Sequence, residues 1–208
     1  VRTRAGKLVR YVLLSEAASM ELGPILRGEK DAVQVLFTGA GADLLDQFYG
    51  DGLFSSTWLA AIASAVEEAA HHLPEGRGLR ILEIGAGTGG LASQLLPLLA
   101  RGLHTYVFSD VSAGFFPGAK QKLAAYPEVE YKIFDLEKSG LVQEFEAGSF
   151  DLMLGSNVVH AVNDVRTALR CLHELLTPGG TLMFVDVATP HLWLNAVFGL
   201  TRDWWRFT

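Results

Sequence analysis

The chain has 208 residues, of which 50% are apolar and 10% aromatic, enough for a full hydrophobic core and too many for a disordered chain. A net charge of -6, without a run of five Lys or Arg residues, disfavours nucleic acid as a partner. A single cysteine excludes an internal disulfide framework and a cysteine zinc site, and we expect no bound metal.

No stretch of 18 apolar residues could span a bilayer, so we expect no membrane association. The chain begins with Val1 rather than Met and opens with no secretory signal. Charged residues make up only 19%, which leaves apolar surface to cover. We therefore expect a segment of a longer cytoplasmic protein that packs against neighbouring domains.

The hydrophobic pattern changes at about residue 78. Residues 1–77 alternate helical patterns with glycine-containing breaks, as in "LLSEAASMELGPILRGE" and "STWLAAIASAVEEAAHHL". In the second of these stretches the residues at helical spacing are Leu59, Ile62, Ala63, Val66 and Ala70. The pattern predicts a helical lid or cover over 1–77 and a separate core domain over 78–208.

Five short apolar runs follow, "RILEIG", "HTYVFSD", "EYKIFD", "FDLMLGS" and "TLMFVDVA", separated mostly by helix-length segments. This alternation predicts an α/β fold with a doubly wound, mostly parallel sheet. Ligands of such sheets bind at the carboxyl ends of the strands, near the point where the strand order reverses. We therefore expect the five strand ends to carry the function.

The first strand ends in a glycine loop whose ligand is ambiguous. Gly85, Gly87 and Gly90 satisfy G-x-G-x-x-G, and Asp110 follows 20 residues beyond Gly90, where an acid can bind a ribose diol. A nicotinamide-binding fold shows the same pattern, and an isolated glycine loop is often only a tight turn. Glu83 argues against a pyrophosphate because its carboxylate precedes the loop, where it can organise the loop or meet a cationic ligand.

The third strand ends in Asp135, which can accept the exocyclic amine of an adenine while its apolar neighbours Phe134 and Leu136 form a slot for the ring. The alternative is that Asp135 only caps the next turn. Past the fourth strand lie Asn157 and His160, and the fifth strand ends at Asp186 after a Pro-Gly-Gly turn.

The stretches "LEIGAGTGG", "FSDVS", "FDLE", "GSNVVHAV", "LLTPGGTLMFVD" and "GLTRDWWRFT" occur in this order over nearly the whole chain. Together they resemble the S-adenosylmethionine-dependent C-methyltransferase domains of polyketide synthases, which have the class I methyltransferase fold. The glycine loop and the Pro-Gly-Gly turn are typical of class I as a whole, whereas "NVVHA" and "GLTRDWWRFT" indicate the synthase type.

The resemblance implies S-adenosylmethionine as methyl donor, S-adenosylhomocysteine as product and no metal. A nucleoside sulfonium suits the three acids, with its ribose on Asp110, its adenine on Asp135 and its positive end near the Glu83 loop. The predicted donor-binding residues are Glu83, Gly85, Gly87, Gly89, Asp110, Val111, Asp135, Leu136 and Asn157.

The resemblance also implies a substrate, a β-ketoacyl chain on the phosphopantetheine arm of an acyl carrier protein. His160 is the predicted base for the proton between the two carbonyls. In the resembled family a glutamate usually holds this histidine, whereas this sequence has Asp186, whose shorter side chain could require a backbone shift or a bridging water. His160 could instead be only a polar residue at a helix end.

Two other functions stay open: methylation of an enol or hydroxyl oxygen, and an inactive structural methyltransferase fold. A class I sheet usually has seven strands, and we expect the last two to be absent from this chain. The closing aromatic residues Trp204, Trp205 and Phe207 could line an acyl tunnel or belong to a core.

Overall fold

A computed structural model describes residues 4–51, 53–71, 77–99, 103–187, 189 and 191–205. The chain forms two compact units, of which one comprises the described residues of Val1–Trp58 and Val187–Thr208 and the other Leu59–Asp186. The helices are α1 (Arg4–Leu26), α2 (Ala32–Phe37), α3 (Gly39–Asp51), α4 (Leu53–His71), α5 (Gly90–Leu99), α6 (Phe116–Lys122), α7 (Val165–Leu175) and α8 (Leu192–Val197).

The second unit contains a five-stranded parallel sheet, as predicted. Its strands are β1 (Leu79–Ile84), β2 (Leu103–Asp110), β3 (Val129–Ile133), β4 (Phe150–Ser156) and β5 (Leu176–Val185). They lie in the order β3-β2-β1-β4-β5, so the order reverses between β1 and β4. Among the described residues after β5 there is no further strand.

The central strands β1 and β4 are buried on both faces, which is why their sequences read as nearly continuous apolar runs. Along β1, Ile81 belongs to one hydrophobic cluster and Leu82 to the other, because successive side chains point to opposite faces. Helices α4, α5 and α6 contribute to the first cluster and α7 to the second. The predicted doubly wound arrangement is confirmed.

The Pro-Gly-Gly segment lies within β5 rather than before it. Phe150 of β4 pairs with Leu176, whereas Leu152, two residues on, pairs with Thr181. Three extra residues of β5 are accommodated between these two pairs, and Gly179 has a φ of 79° there. The predicted turn is therefore an interruption of the pairing between β4 and β5, within β5. Proline favours such an interruption because it cannot donate a hydrogen bond to the neighbouring strand.

The compact units do not divide at residue 78, where the strand pattern begins. Most of α4 belongs to the unit of the sheet, because its apolar residues at helical spacing lie in the first core cluster. The described residues from Val187 onward belong instead with α1–α3. The apolar face of α4 determines which compact unit most of the helix belongs to. The sequence pattern marks only the change from helix to strand.

The first unit has its own core, which includes Leu14, Leu36, Leu45 and Val197. Phe198 stacks on Trp204 with ring centroids 5.6 Å apart, and both belong to this core. The closing aromatic residues were predicted to line an acyl tunnel or to belong to a core, and Trp204 packs with the core. Trp205 is 56% exposed, and Phe207 lies outside the described residues. None of the helices in the described ranges has the length and hydropathy needed to cross a membrane.

Candidate active site

The glycine loop after β1 has a backbone that other residues adopt poorly. Gly85 and Gly87 have φ values of 58° and 51°, in the left-handed region. A Cβ on Gly85 would lie 2.6 Å from Cγ2 of Val158, whereas one on Gly87 would meet only the backbone oxygen of Gly85, at 3.9 Å. The loop therefore offers a bare backbone on the side of Gly87, where a ligand can approach closely. Gly89, with a φ of 79°, completes the turn into α5.

Glu83 lies inside the protein, with only 2% of its surface exposed. Its Oε2 accepts a hydrogen bond of 2.6 Å from the hydroxyl of Tyr106, and its carboxylate also accepts the backbone N–H of Ala92 in the first turn of α5. Burial raises the pKa of Glu83 to about 8, although these two hydrogen bonds lower it. These contacts favour the loop-organising alternative for Glu83. Tyr106 was not predicted, because it occupies an ordinary apolar position of a strand.

Asp110 joins the end of β2 to the glycine loop. Its Oδ2 accepts the backbone N–H of Gly87 at 3.0 Å, and its Oδ1 accepts that of Ser112 at 2.9 Å. The residue is 6% exposed, and burial raises its pKa. The structure thus brings the second-strand acid directly to the first-strand loop, as expected if both contact one ligand.

Asp135 also participates in its own turn. Its Oδ1 accepts the backbone N–H of Glu137 at 3.0 Å, so the turn-capping alternative describes a real contact, and Lys138 Nζ lies 3.0 Å from Oδ2. The apolar neighbours Phe134 and Leu136, from which a slot for the adenine ring was predicted, turn their side chains into the core. Both are buried, at 2% and 5% exposure, in the second core cluster of the sheet.

Val111, directly after β2, presents an apolar side chain at this edge of the sheet and is 67% exposed. At the end of β4, Asn157 has a φ of 56°, a left-handed conformation that asparagine tolerates better than most residues. Its backbone N–H donates to the carbonyl of Val185, and its side-chain amide donates to Ser156 Oγ. Asn157 thus turns the chain sharply toward the segment that carries His160.

His160 and Asp186 contact each other directly. The distance between His160 Nδ1 and Asp186 Oδ1 is 2.6 Å, so neither a bridging water nor a longer side chain is needed. Because a carboxylate only accepts, Nδ1 carries the proton and leaves Nε2 with its lone pair. The two side chains are 21% and 20% exposed, which leaves the imidazole partly accessible.

The other carboxylate oxygen explains why the shorter acid suffices. Asp186 Oδ2 accepts the backbone N–H groups of Val158, Val159 and His160 at 3.1, 2.6 and 3.3 Å. These donors open the 3-10 turn that carries the histidine, and they draw the turn onto the end of β5. Asp186 therefore fixes both the backbone and the ring orientation of His160.

The residues present suit a nucleoside rather than a metal. Within the described residues no group of three or more His, Cys, Asp or Glu side chains is placed to hold a metal ion. The open side of Gly87 lies beside the carboxylate of Asp110, which combines a bare backbone with an acceptor for hydroxyl groups. This donor set fits the ribose of S-adenosylmethionine.

Residues 82–182 match the protein family described as methyltransferase domain. The highly reducing polyketide synthase pspA of Penicillium soppii is 37% identical over 186 residues, or 87% of this chain and 7% of that protein. The crystal structure of CurJ carbon methyltransferase has a TM-score of 0.91 at 34% identity, covering 96% of this chain and 53% of that one. The trans-methyltransferase CalH, in complex with SAH, has a TM-score of 0.81 at 31% identity, covering 98% and 55%.

The chain spans about half the length of these solved structures and less than a tenth of the curated synthase. Its fold agrees with that of the two solved structures. Residues 82–182 thus match a methyltransferase domain, and nearly the whole chain is similar in sequence and structure to CurJ carbon methyltransferase and in sequence to a segment of a polyketide synthase.

Proposed function

We propose that this chain transfers a methyl group from S-adenosylmethionine to the α-carbon of a β-ketoacyl chain carried by an acyl carrier protein. The observation that carries the proposal is the 2.6 Å contact between His160 and Asp186 at the carboxyl edge of the sheet. A histidine held in this way is equipped to remove a proton. Similarity to carbon methyltransferases supports a C–H as the site of reaction.

The donor would lie along the ends of β1, β2 and β3. Asp110 would accept the ribose hydroxyls, the backbone of Gly85, Gly87 and Gly89 would line the loop, and Asp135 would accept the adenine amine. Val111 and the backbone of Leu136 would border the adenine, with Glu83 acting through the loop and Asn157 closing the site. When bound, S-adenosylmethionine supplies an electrophilic methyl group.

The proton to be removed lies between a ketone and a thioester, which makes the C–H acidic enough for a histidine. Nε2 of His160 takes this proton, and the electron pair of the C–H bond becomes available to the carbon that accepts the methyl group. Asp186 holds Nδ1–H and stabilises the imidazolium that forms. The three backbone N–H donors on Oδ2 keep the carboxylate from turning away.

The proposed partners are the carrier protein and neighbouring synthase domains, in the cytoplasm. The relatives are parts of much longer synthases, since the match covers 7% of pspA. Several apolar side chains on α1 are exposed, with Val12 at 64%, Met20 at 76% and Leu26 at 73%. Surface of this kind is typical of contact with other protein.

The test supplies the chain with methyl-labelled S-adenosylmethionine and a β-ketoacyl group on a carrier protein. Nuclear magnetic resonance of the released acyl group distinguishes a methyl on the α-carbon from a methoxy group. Labelled α-carbon is the expected result. A methoxy product would establish oxygen methylation instead, and donor binding without any transfer would identify an inactive structural domain.

A further inference from the structure

The strand ladder of the described sheet does not extend to the backbone of Asp135. β3 is an edge strand, with β2 on one side and no described strand on the other. The N–H of Phe134 still reaches the carbonyl of Asp110, but Asp135 lies beyond this ladder. Within the turn that follows, its carbonyl accepts the N–H of Lys138 at 3.1 Å, and further partners for its peptide groups come from a side chain.

Gln143 supplies those partners through its side chain. Its Oε1 accepts the backbone N–H of Asp135 at 2.7 Å, and its Nε2 donates to the carbonyl of the same residue at 2.9 Å. A primary amide has one face that donates and accepts like a peptide group. Gln143 therefore pairs with Asp135 much as the backbone of a neighbouring strand would.

The same amide also holds the turn that follows. Nε2 lies 3.0 Å from the carbonyl of Lys138 and 3.3 Å from that of Ser139. Gln143 ends the 3-10 turn Gly140–Gln143, whose first residue is buried, so its own position is fixed by the core. The Gln143 side chain thus acts together with the turn's own hydrogen bonds to fix the path of residues 135–139.

We propose that Gln143 is a positioning residue for the adenine end of the methyl donor. By fixing the backbone of Asp135, it aims the Asp135 carboxylate at the exocyclic amine and so contributes to recognition of adenine over other purines. The proposal rests on the proposed function, in which Asp135 accepts that amine. Gln143 acts through Asp135 and does not touch the reacting atoms.

The experiment compares two ligands that differ only at this edge of the purine, in the 6-substituent and in the proton that the 6-oxo form carries on N1. S-adenosylhomocysteine carries the exocyclic amine, whereas S-inosylhomocysteine has a carbonyl there, which a carboxylate does not favour. Affinities of the 208-residue chain for both are measured by calorimetry, for the natural sequence and for Gln143→Met, which keeps the length but loses the hydrogen bonds. The variant is expected to lose about tenfold in affinity for the adenosyl ligand and less than about threefold for the inosyl ligand.

Gln121→Met is the matched control, because Gln121 is exposed on α6 in the same unit. It should leave both affinities unchanged. If Gln143→Met does not fold, Gln143→Glu gives a second test, since its carboxylate can accept from Asp135 but cannot donate to the carbonyls. It too should reduce the discrimination between the two ligands.

Equal loss of affinity for both ligands would show a role in folding only, and no loss would show no role in binding. Either result would overturn the proposal. Failure of the natural chain to bind S-adenosylhomocysteine would overturn the proposed function itself. Binding without discrimination between the two purines would remove the adenine role of Asp135, and the role of Gln143 with it.

Discussion

Glu83 at the end of β1 and Asp186 at the end of β5 are acids on the same edge of one sheet, but their surroundings differ. Glu83 is 2% exposed and accepts hydrogen bonds from a tyrosine hydroxyl and a backbone N–H, with no cation on it among the contacts described. Asp186 is 20% exposed at its side chain and accepts from an imidazole and three backbone N–H groups.

The difference separates an acid that stabilises the fold from an acid that is equipped to support the reaction. A carboxyl buried against neutral donors favours its protonated form, which is why the pKa of Glu83 rises to about 8. A carboxylate with several N–H donors and a titratable partner can stabilise a charge that appears during a reaction. We therefore expect the β4–β5 end to determine the rate, and the β1–β2 end to determine donor binding and stability.

The largest effect is expected from His160→Ala. The single-turnover rate of methyl transfer should fall by roughly 10²–10⁴-fold, as for a lost general base. Donor affinity should stay nearly unchanged, because the donor lies along β1–β3. His173→Ala is the control, because His173 lies on the exposed face of α7. A normal rate in His160→Ala would show that His160 is not the base.

Asp186→Asn should lower the rate by less than the 10²–10⁴-fold range of a lost base. The amide oxygen can still accept from the 3-10 turn, but its NH₂ group then faces Nδ1 and drives the ring proton to Nε2. Combining both changes should cost little more than His160→Ala alone, because the two groups act as a unit. Multiplicative losses in the double variant, measured in single turnover, would show that they act independently.

Asp110→Ala should act on binding rather than on chemistry. Loss of charge-assisted hydrogen bonds to the ribose, worth roughly 1.5–3 kcal/mol, should weaken donor binding by about ten- to a hundredfold. The rate at saturating donor should change much less. Calorimetry measures the affinity, with Asp31→Ala as control, since Asp31 also accepts a backbone N–H but caps α2 in the other unit. Unchanged affinity would place the ribose acceptor elsewhere.

Glu83→Gln is expected to change stability rather than donor binding or rate. Because burial raises the pKa of Glu83 from 4.5 to about 8, the stability from its neutral form is complete below about pH 4.5 and is lost as the pH rises to about 8. Between these values the natural chain should lose up to about 1.4 kcal/mol of unfolding free energy per pH unit from this group. Denaturant unfolding of both chains at pH 5.5 and 8 tests it: the advantage of the natural chain over Glu83→Gln should shrink with pH. A constant difference would mean that Glu83 is ionised in the fold.

Much of this fold could be predicted from local patterns. The five apolar runs predict the five strands, and the α/β alternation predicts a parallel sheet with its acids at one edge, because both depend on residues adjacent in sequence. The motif order predicted Asp110, Asp135, His160 and Asp186 as site residues. The contact between the last two is formed as the resemblance implied, and it needs no bridging water.

The tertiary structure decided what depends on residues distant in the chain. The apolar neighbours of Asp135 turned into the core because α7 and the sheet bury that face, a fact that the run "IFDL" does not contain. Tyr106 on Glu83, 23 residues apart, and Gln143 on the backbone of Asp135 follow from strand order and edge position rather than from any motif. Sequence periodicity determined which elements form and where polar residues end them, whereas long-range packing decided which of those polar groups are buried, which are held and which face a ligand.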